Sequence, residues 1–321
     1  MASKRHGIAR VVVALIVVLA AASVALYAAW QKGMLPGAAS KSEQAAISPD
    51  PPVMEEVDFA EMSWSDIAAL SRSIEAAPDD AARQEIAYRA GIVDENGALV
   101  DKRIRLELTN GYALDVRLAG IMHDEKADGT GKVGLTFITA GALARGVMNQ
   151  EATAQGGWEQ SYARAWLQED GMALLPEELR DVIIPVTKTT NNVGDTNARE
   201  EVSDTSDTLW LFSPREVVGD VTWERDTYGN DGWGIDASLN QEGEQYALFE
   251  EHGVTATSAG DGILKLDDLT GKSTWWYRTP QGANWAHSNA TDLFYQVSDA
   301  GLPKGYGNPN QESAYVVGFC V

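Results

Sequence analysis

The chain has 321 residues, 44% of them hydrophobic, and a net charge of −22 at pH 7. Its length and apolar content suffice for one large packed domain or two small ones, and its acidity argues against nucleic acid and anionic lipid as partners. Cys320 is the single cysteine, which excludes an internal disulfide, so stability must come from burial.

Residues 8–30 are apolar, and no charged residue lies between Arg10 and Lys32. About 20 such residues span a hydrocarbon core, so we predict a single-pass transmembrane signal-anchor. Basic residues precede it, which predicts a cytoplasmic N-terminus (1–7) and an extracellular C-terminal domain at the cell surface. A cleaved signal peptide remains the alternative, since residues 20–22 offer a small-residue cleavage site.

The region after the anchor divides into three parts. Residues 31–57 are polar and contain several prolines, which predicts a linker. Residues 58–99 are predicted to be a helical lead-in of two helices, the first capped by Ser63 and the second ending at Gly91. Residues 100–321 are predicted to form one ectodomain.

The ectodomain begins with a predicted β-hairpin over residues 103–121. Apolar and polar residues alternate on both sides of Asn110-Gly111, which is a strong hairpin signal. A strand over 133–138 and a helix of small residues over 140–148 are expected next.

The central segment contains three aromatic residues spaced four apart. Trp158, Tyr162 and Trp166 are predicted to stack along one helical face, with Arg164 available for an ion pair. A further helix is expected over 176–184.

Polar stretches then surround a short apolar one. We expect loops over 188–207 and 219–243 and a buried strand over 209–212. Ser213 and Glu216 then have the spacing that caps and starts a helix. The last predicted elements are a helix over 244–251 and strands over 274–279, 292–297 and 314–321. Short strands with several helices and long loops predict an α+β fold with an antiparallel sheet.

Four stretches carry a family resemblance: GGWEQSYARAWL (156–167), TLWLFSPREV (208–217), TWWYRTP (274–280) and AYVVGFCV (314–321). In order and spacing they resemble an uncharacterised domain of anchored or secreted surface proteins of Gram-positive bacteria. That domain is similar in pattern to the C-type-lectin-like fold of formylglycine-generating enzymes, so the resemblance implies such a fold here. The last stretch departs from the pattern, having Val317-Gly318-Phe319 where an Arg or Pro often stands.

Catalytic patterns are weak. An oxidase of the formylglycine-generating type needs a pair of active-site cysteines, and this chain has one. The extracytoplasmic histidines, His123, His252 and His287, are not accompanied by a nucleophile elbow or a zinc-binding spacing, so we interpret them as surface side chains.

An acidic loop is a candidate calcium site, and the sequence suggests no other cofactor. Its oxygen ligands would be Asp226, Asn230, Asp231 and Asp236. The spacing fails the EF-hand pattern because Tyr228 occupies the third ligand position. A solvated acidic loop without metal is the competing interpretation.

Aromatic residues in or beside Gly- and Asn-rich loops are the candidate ligand contacts. Exposed rings flanked by amides suit stacking on sugars, and the candidates are Trp223, Trp233, Tyr277, Trp285, Tyr306 and Asn308. The tryptophans of the family motifs are predicted to be core residues instead: Trp158, Trp166, Trp210, Trp275 and Trp276.

Together these features predict a non-catalytic binding or adhesion module for a glycan or a surface protein. Two alternatives stay open. One is a hydrolase of cell-wall polymer that uses paired carboxylates, and the other is a structural subunit of an envelope assembly. Oligomeric state does not follow from the sequence.

Overall fold

A computed structural model describes residues 58–192, 194, 202–229, 234–257, 262–268, 271–281 and 292–321. The predicted anchor, its cytoplasmic end and the linker lie outside these residues. Within the described ranges, no helix is long and apolar enough to cross a membrane.

The helices are mostly short. They are α1 (Trp64–Glu75), α2 (Asp80–Arg89), α3 (Tyr162–Trp166), α4 (Met172–Leu174), α5 (Glu177–Arg180), α6 (Pro214–Val218), α7 (Trp223–Tyr228), α8 (Ile235–Leu239) and α9 (Ala247–Glu251), with a 3-10 turn at Phe59–Glu61 and a π-helical turn at Leu167–Gly171.

The strands form two five-stranded sheets and two hairpins. They are β1 (Arg103–Glu107), β2 (Ala113–Ile121), β3 (Leu135–Thr139), β4 (Ala144–Gly146), β5 (Val186–Thr190), β6 (Ser203–Asp207), β7 (Trp210–Leu211), β8 (Leu266–Asp268), β9 (Gly271–Ser273), β10 (Trp275–Pro280), β11 (Phe294–Val297), β12 (Gly305–Gly307), β13 (Ser313–Tyr315) and β14 (Val317–Cys320). Sheet A has the order β1-β2-β3-β14-β7, sheet B has the order β12-β11-β10-β13-β4, and β5-β6 and β8-β9 pair as hairpins. Pairing among the described strands is antiparallel except between β10 and β13, which run parallel. The α+β class is confirmed.

Strands β3, β14 and β7 of sheet A are buried on both faces and separate two apolar clusters. Adjacent residues of β3 point to opposite faces, so Phe137 joins one cluster and Ile138 joins the other. The first cluster also contains the lead-in helices, and the second contains α6 to α9 together with Trp275 and Tyr277.

The lead-in packs directly on sheet A. The Trp64 ring lies 5.5 Å from the ring of Phe137 and 5.7 Å from that of Phe319. Ser71 adds a polar tie, because its hydroxyl donates to the carbonyl of Val321 and accepts the Leu135 N–H at 3.1 Å. Residues from both ends of the described chain therefore share one core.

The predicted hairpin turn and helix caps, which depend on a few neighbouring residues, are confirmed. β1 and β2 pair in register around Asn110-Gly111, and Gly111 takes the positive φ of +86° that this turn requires. Ser63 caps α1 by accepting the Asp66 N–H. Ser213 and Glu216 form a complete capping box at the start of α6.

Two helical predictions are wrong. Residues 140–148 contain an edge strand, β4, instead of a helix. Gly146 lies against Tyr315, whose hydroxyl oxygen would be 2.4 Å from a Cβ at that position, so this glycine permits close packing of β4 on β13. The predicted stripe is also broken, because α3 begins only at Tyr162 and Trp158 precedes its cap.

Two stretches interpreted as loops contain regular structure. Residues 188–207 include most of the β5–β6 hairpin, whose inward side chains are polar ones such as Lys188 and Thr205. Residues 219–243 contain α7 and α8. The helix expected over 176–184 is shorter, ending at Arg180.

Candidate functional site

A groove of about 380 Å³ lies between sheet A, helix α9 and residues 262–266. Its sheet wall is a row of three cross-strand partners, Arg103 on β1, Arg117 on β2 and Ile138 on β3. A volume of this size falls in the range of roughly 300–1,000 Å³ that small-molecule sites occupy. Two of these three walls, sheet A and α9, are packed regular elements, so the groove is largely preformed.

The groove concentrates positive charge in an acidic chain. Arg103, Arg117 and Lys265 line it together with one carboxylate, Asp101. The nearest ion pairs are long, 3.7 Å from Arg117 to Asp101 and 4.0 Å from Arg103 to Asp115. Charge-assisted hydrogen bonds measure about 2.7–2.9 Å, so neither pair forms a direct one.

Arg117 is the most enclosed of these cations. Its side chain is 11% exposed, and its Nε is buried without a hydrogen-bond partner. Burial lowers the pKa of Arg117, and the attraction of Asp101 offsets this only in part. Arg83 and Arg215 also have a buried, unpartnered Nε, but neither lines the groove.

A second polar constellation is fully buried between the two clusters and centres on Lys188. The Lys188 ammonium donates to Asp124, to Glu216 at 3.1 Å and to the Tyr246 hydroxyl at 2.7 Å, and it lies 4.1 Å from the ring centroid of Trp210. Burial alone would lower the pKa of Lys188, but the two carboxylates raise it. The amine is therefore held charged, which is unsuited to a nucleophile or base.

Arg278 extends this network from β10. Its guanidinium pairs with both oxygens of Glu216, through Nη1 and, at 3.1 Å, through Nη2. The Nε donates to the Thr190 hydroxyl at 2.6 Å, and further bonds reach the carbonyls of Leu211 and Thr189. These bonds fix β10 against β5 and β7.

Asp124 and Glu216 balance the two cations. Burial raises the pKa of each carboxyl, but for Asp124 the attraction of Lys188 and His123 prevails and lowers it to about 2. For Glu216 the attraction of Arg278 and Lys188 prevails and lowers the pKa. Two cations therefore face two ionised carboxylates.

Glu242 is the third buried carboxyl of the network and has no cation of its own. Burial raises its pKa to about 7, an effect that Arg278 only partly offsets. One carboxyl oxygen accepts the Asn191 N–H at 2.9 Å, and the other accepts the Thr279 hydroxyl. Glu242 therefore changes charge near neutral pH.

The histidines and the cysteine differ in their surroundings. His123 is half-buried, with its ring centroid 3.9 Å from that of Tyr246, and burial lowers its pKa, so it is only in part the surface side chain that the sequence predicts. His252 lines the groove and its Nδ1 lies 2.8 Å from the Leu248 carbonyl oxygen. Cys320 is buried, and burial raises the pKa of its thiol well above the usual value. His287 lies outside the described residues.

Comparison with protein families gives one match. A family model described as a domain of unknown function, DUF6273, matches residues 133–313, more than half of the chain. The chain belongs to this family. No curated protein matches, and no solved structure matches. Lys188, Glu216, Glu242 and Arg278 lie inside the matched stretch, whereas Arg103 and Arg117 precede it.

Two of the predicted aromatic contacts are buried in this family member. Trp223 is 4% exposed, donates its indole N–H to the Ala256 carbonyl at 2.8 Å and packs on Tyr295. Tyr277 is fully buried. Neither ring can stack on a sugar, so these two predictions are wrong.

The structure describes two of the four remaining candidate ligand contacts. Tyr306, on edge strand β12, is 59% exposed, and Asn308 follows it half-buried. The structure does not bring Tyr306 or Asn308 into the groove lining. Trp233 and Trp285 lie outside the described residues.

The structure describes two of the four candidate calcium ligands, Asp226 and Asp236. Asp236 is buried, and its carboxylate accepts the N–H groups of Glu224 and Arg225, so it caps α7. Asp226 accepts the Thr222 hydroxyl at 2.6 Å. Asn230 and Asp231 lie outside the described residues, and among those described no three potential ligands form a metal-binding group. Asp236 therefore caps a helix, and the calcium site stays a prediction.

Sequence reasoning missed the groove and the Lys188 network. One signal was available for the groove, because a turn at Asn110-Gly111 sets the register in which Arg103 faces Arg117. For the network, Glu216 and Arg278 both lie in motif stretches, TLWLFSPREV and TWWYRTP, where charged side chains follow aromatic ones.

Proposed function

We propose that this chain is a membrane-anchored, extracytoplasmic binding or adhesion module that binds a glycan or protein ligand without transforming it. The preformed groove lined by Arg103, Arg117, His252 and Lys265 carries this proposal. A few polar groups converging in a concavity on rigid elements is the usual form of a small-ligand site.

The proposed membrane topology rests on the sequence. The apolar run over 8–30 with basic residues before it favours a single-pass anchor with the C-terminal domain outside, and the family motifs resemble surface-protein domains. We also propose that the ectodomain is C-type-lectin-like. Short strands in two sheets, separated by helices and long irregular segments, support that assignment.

Two buried acidic pairs in the described part of the chain already have other bonding partners. Glu224 and Asp236 cap each other's helices through backbone N–H groups. Asp124 and Glu216 bind Lys188. These bonds favour a structural role for both pairs.

The test is binding of the full chain, in detergent micelles, to arrays of bacterial and host glycans and of surface-protein peptides, with calcium and with chelator. Three variants locate the site. Arg117→Met removes a groove cation, Tyr306→Ala removes the exposed aromatic, and Arg105→Met is the matched control, since Arg105 is an exposed β1 residue outside the groove.

We expect saturable binding that Arg117→Met abolishes and Arg105→Met preserves. Loss with Tyr306→Ala alone would move the site to β12 and contradict the groove assignment. Absence of binding under both conditions would contradict the proposed function.

A further inference from the structure

We propose that the groove binds a small polar anion, a sugar-sized ligand bearing a carboxylate or phosphate, between Arg103, Arg117 and Lys265. This inference rests on the proposed function and names the class of ligand for the same site.

The first step is charge. Three Lys or Arg side chains and one Asp line the groove, while the chain as a whole has a net charge of −22. The acidic surface already keeps the protein soluble, so solubility does not account for a cluster of positive side chains in the groove. Binding of an anionic group accounts for it.

The second step is the pairing of Arg103 with Arg117. They are direct cross-strand partners on one face, and like charges opposite each other destabilise a strand pair. Their carboxylate neighbours lie 3.7 and 4.0 Å away. An anion bridging both guanidinium groups would remove this repulsion and form the short bonds that the two distant aspartates do not.

The third step is the buried Nε of Arg117, which lacks an acceptor. A buried donor without a partner has lost its hydrogen bonds to water and gained none in return. Arginine binds carboxylate and phosphate in a bidentate manner through adjacent N–H groups, so one anionic group would engage the donor that the protein leaves unused.

The fourth step is the polarity of the lining. The apolar residues beneath the groove are almost inaccessible, with Leu264 1%, Trp275 2% and Ile138 5% exposed. Lys265 and Asp101 are exposed. The accessible surface is therefore mainly polar, which favours a hydroxylated ligand such as an acidic sugar over an apolar acid.

The experiment is calorimetric titration of the full chain in micelles with three matched sugars. Glucuronate carries a carboxylate, glucose 6-phosphate carries a phosphate, and glucose is neutral. We expect at least one anion to bind about 10- to 100-fold more tightly than glucose, the factor of one charged hydrogen-bonding group. The anion that binds more tightly shows whether the groove prefers a carboxylate or a phosphate.

Variants make the result specific. Arg117→Met should weaken anion binding by about 10- to 100-fold, and Lys265→Gln, an exposed change that leaves the core intact, by about fivefold. Arg105→Met should leave binding unchanged.

Equal affinity for glucose and both anions, no binding of any of the three, or anion binding unaffected by both groove variants would overturn the inference. The proposed function would survive these outcomes if array binding still depended on Arg117, since that pattern requires a different ligand at the same groove. Loss of array binding as well would end both proposals.

Discussion

Replacing Glu242 with Gln should abolish a specific pH dependence of stability. The folded-state pKa of Glu242 is raised to about 7 from 4.5, because the carboxyl is fully buried. Between these values the folded protein holds a proton that the unfolded chain has lost, so stability falls as pH rises from 4.5 to 7 and then stays level. A shift of this size corresponds to about 3 kcal/mol.

Gln suits the site because its oxygen can still accept the Asn191 N–H and its amide can donate to the Thr279 hydroxyl. The variant should exceed the wild type by less than about 1 kcal/mol at pH 5 and by about 3 kcal/mol at pH 8. The assay is urea unfolding at pH steps from about 5 to 8.

The difference between wild type and variant is the informative quantity. His123, whose pKa is lowered by burial, contributes stability that is lost as pH falls, which opposes the Glu242 effect over part of the same range. Both proteins contain His123, so its contribution cancels. Glu244→Gln, at an exposed position, is the control and should give a flat difference. A flat difference for Glu242→Gln would refute the reasoning.

Three further substitutions test the packing. Lys188→Met leaves two buried carboxylates without their shared cation and should lower the free energy of unfolding by about 3–5 kcal/mol. The measurement is urea unfolding, and a destabilisation of less than about 0.5 kcal/mol, the size expected for a surface substitution, would contradict the network. Gly318→Ala places a Cβ 2.6 Å from the Trp210 indole and should cost about 1–3 kcal/mol, whereas Gly141→Ala meets only an ordinary contact at 3.8 Å and should be neutral; equal melting temperatures would refute the close packing. Trp223→Ala should cost about 3–5 kcal/mol in thermal unfolding and Tyr306→Ala less than about 0.5; the reverse order would mean that Trp223 is the exposed ring.

Elements governed by neighbours in sequence were predictable. A hairpin turn at Asn110-Gly111 and the caps at Ser63 and Ser213 depend on a few adjacent residues, so the sequence contains the necessary information.

The β5–β6 hairpin was hidden because its buried face is polar. Lys188, Thr190 and Asp207 point inward and are satisfied by ion pairs and hydrogen bonds from residues distant in sequence. Thr205 also points inward and donates to Asp207 in the same strand. Without apolar alternation, a strand of this kind resembles a loop. Asp207 shows the difficulty, since its partners, Trp158 and Arg164, belong to another segment.

The groove was hidden for a related reason. Its lining residues lie between 101 and 316 in the chain, and only tertiary folding brings α9 and residues 262–266 over Arg103 and Arg117. The local sequence does not distinguish the buried Trp223 from the exposed Tyr306, because both residues have polar neighbours in the chain.

The most direct measurement is equilibrium binding of a ligand selected on the array to the full chain and to its Arg117→Met variant, with the ligand recovered afterwards and its mass determined. A binding module with its site in the groove predicts saturable binding to the wild type, loss of binding in the variant, and a ligand recovered unchanged. Equal binding by both proteins would place the site elsewhere, and a ligand cleaved by the wild type would show that the chain is an enzyme.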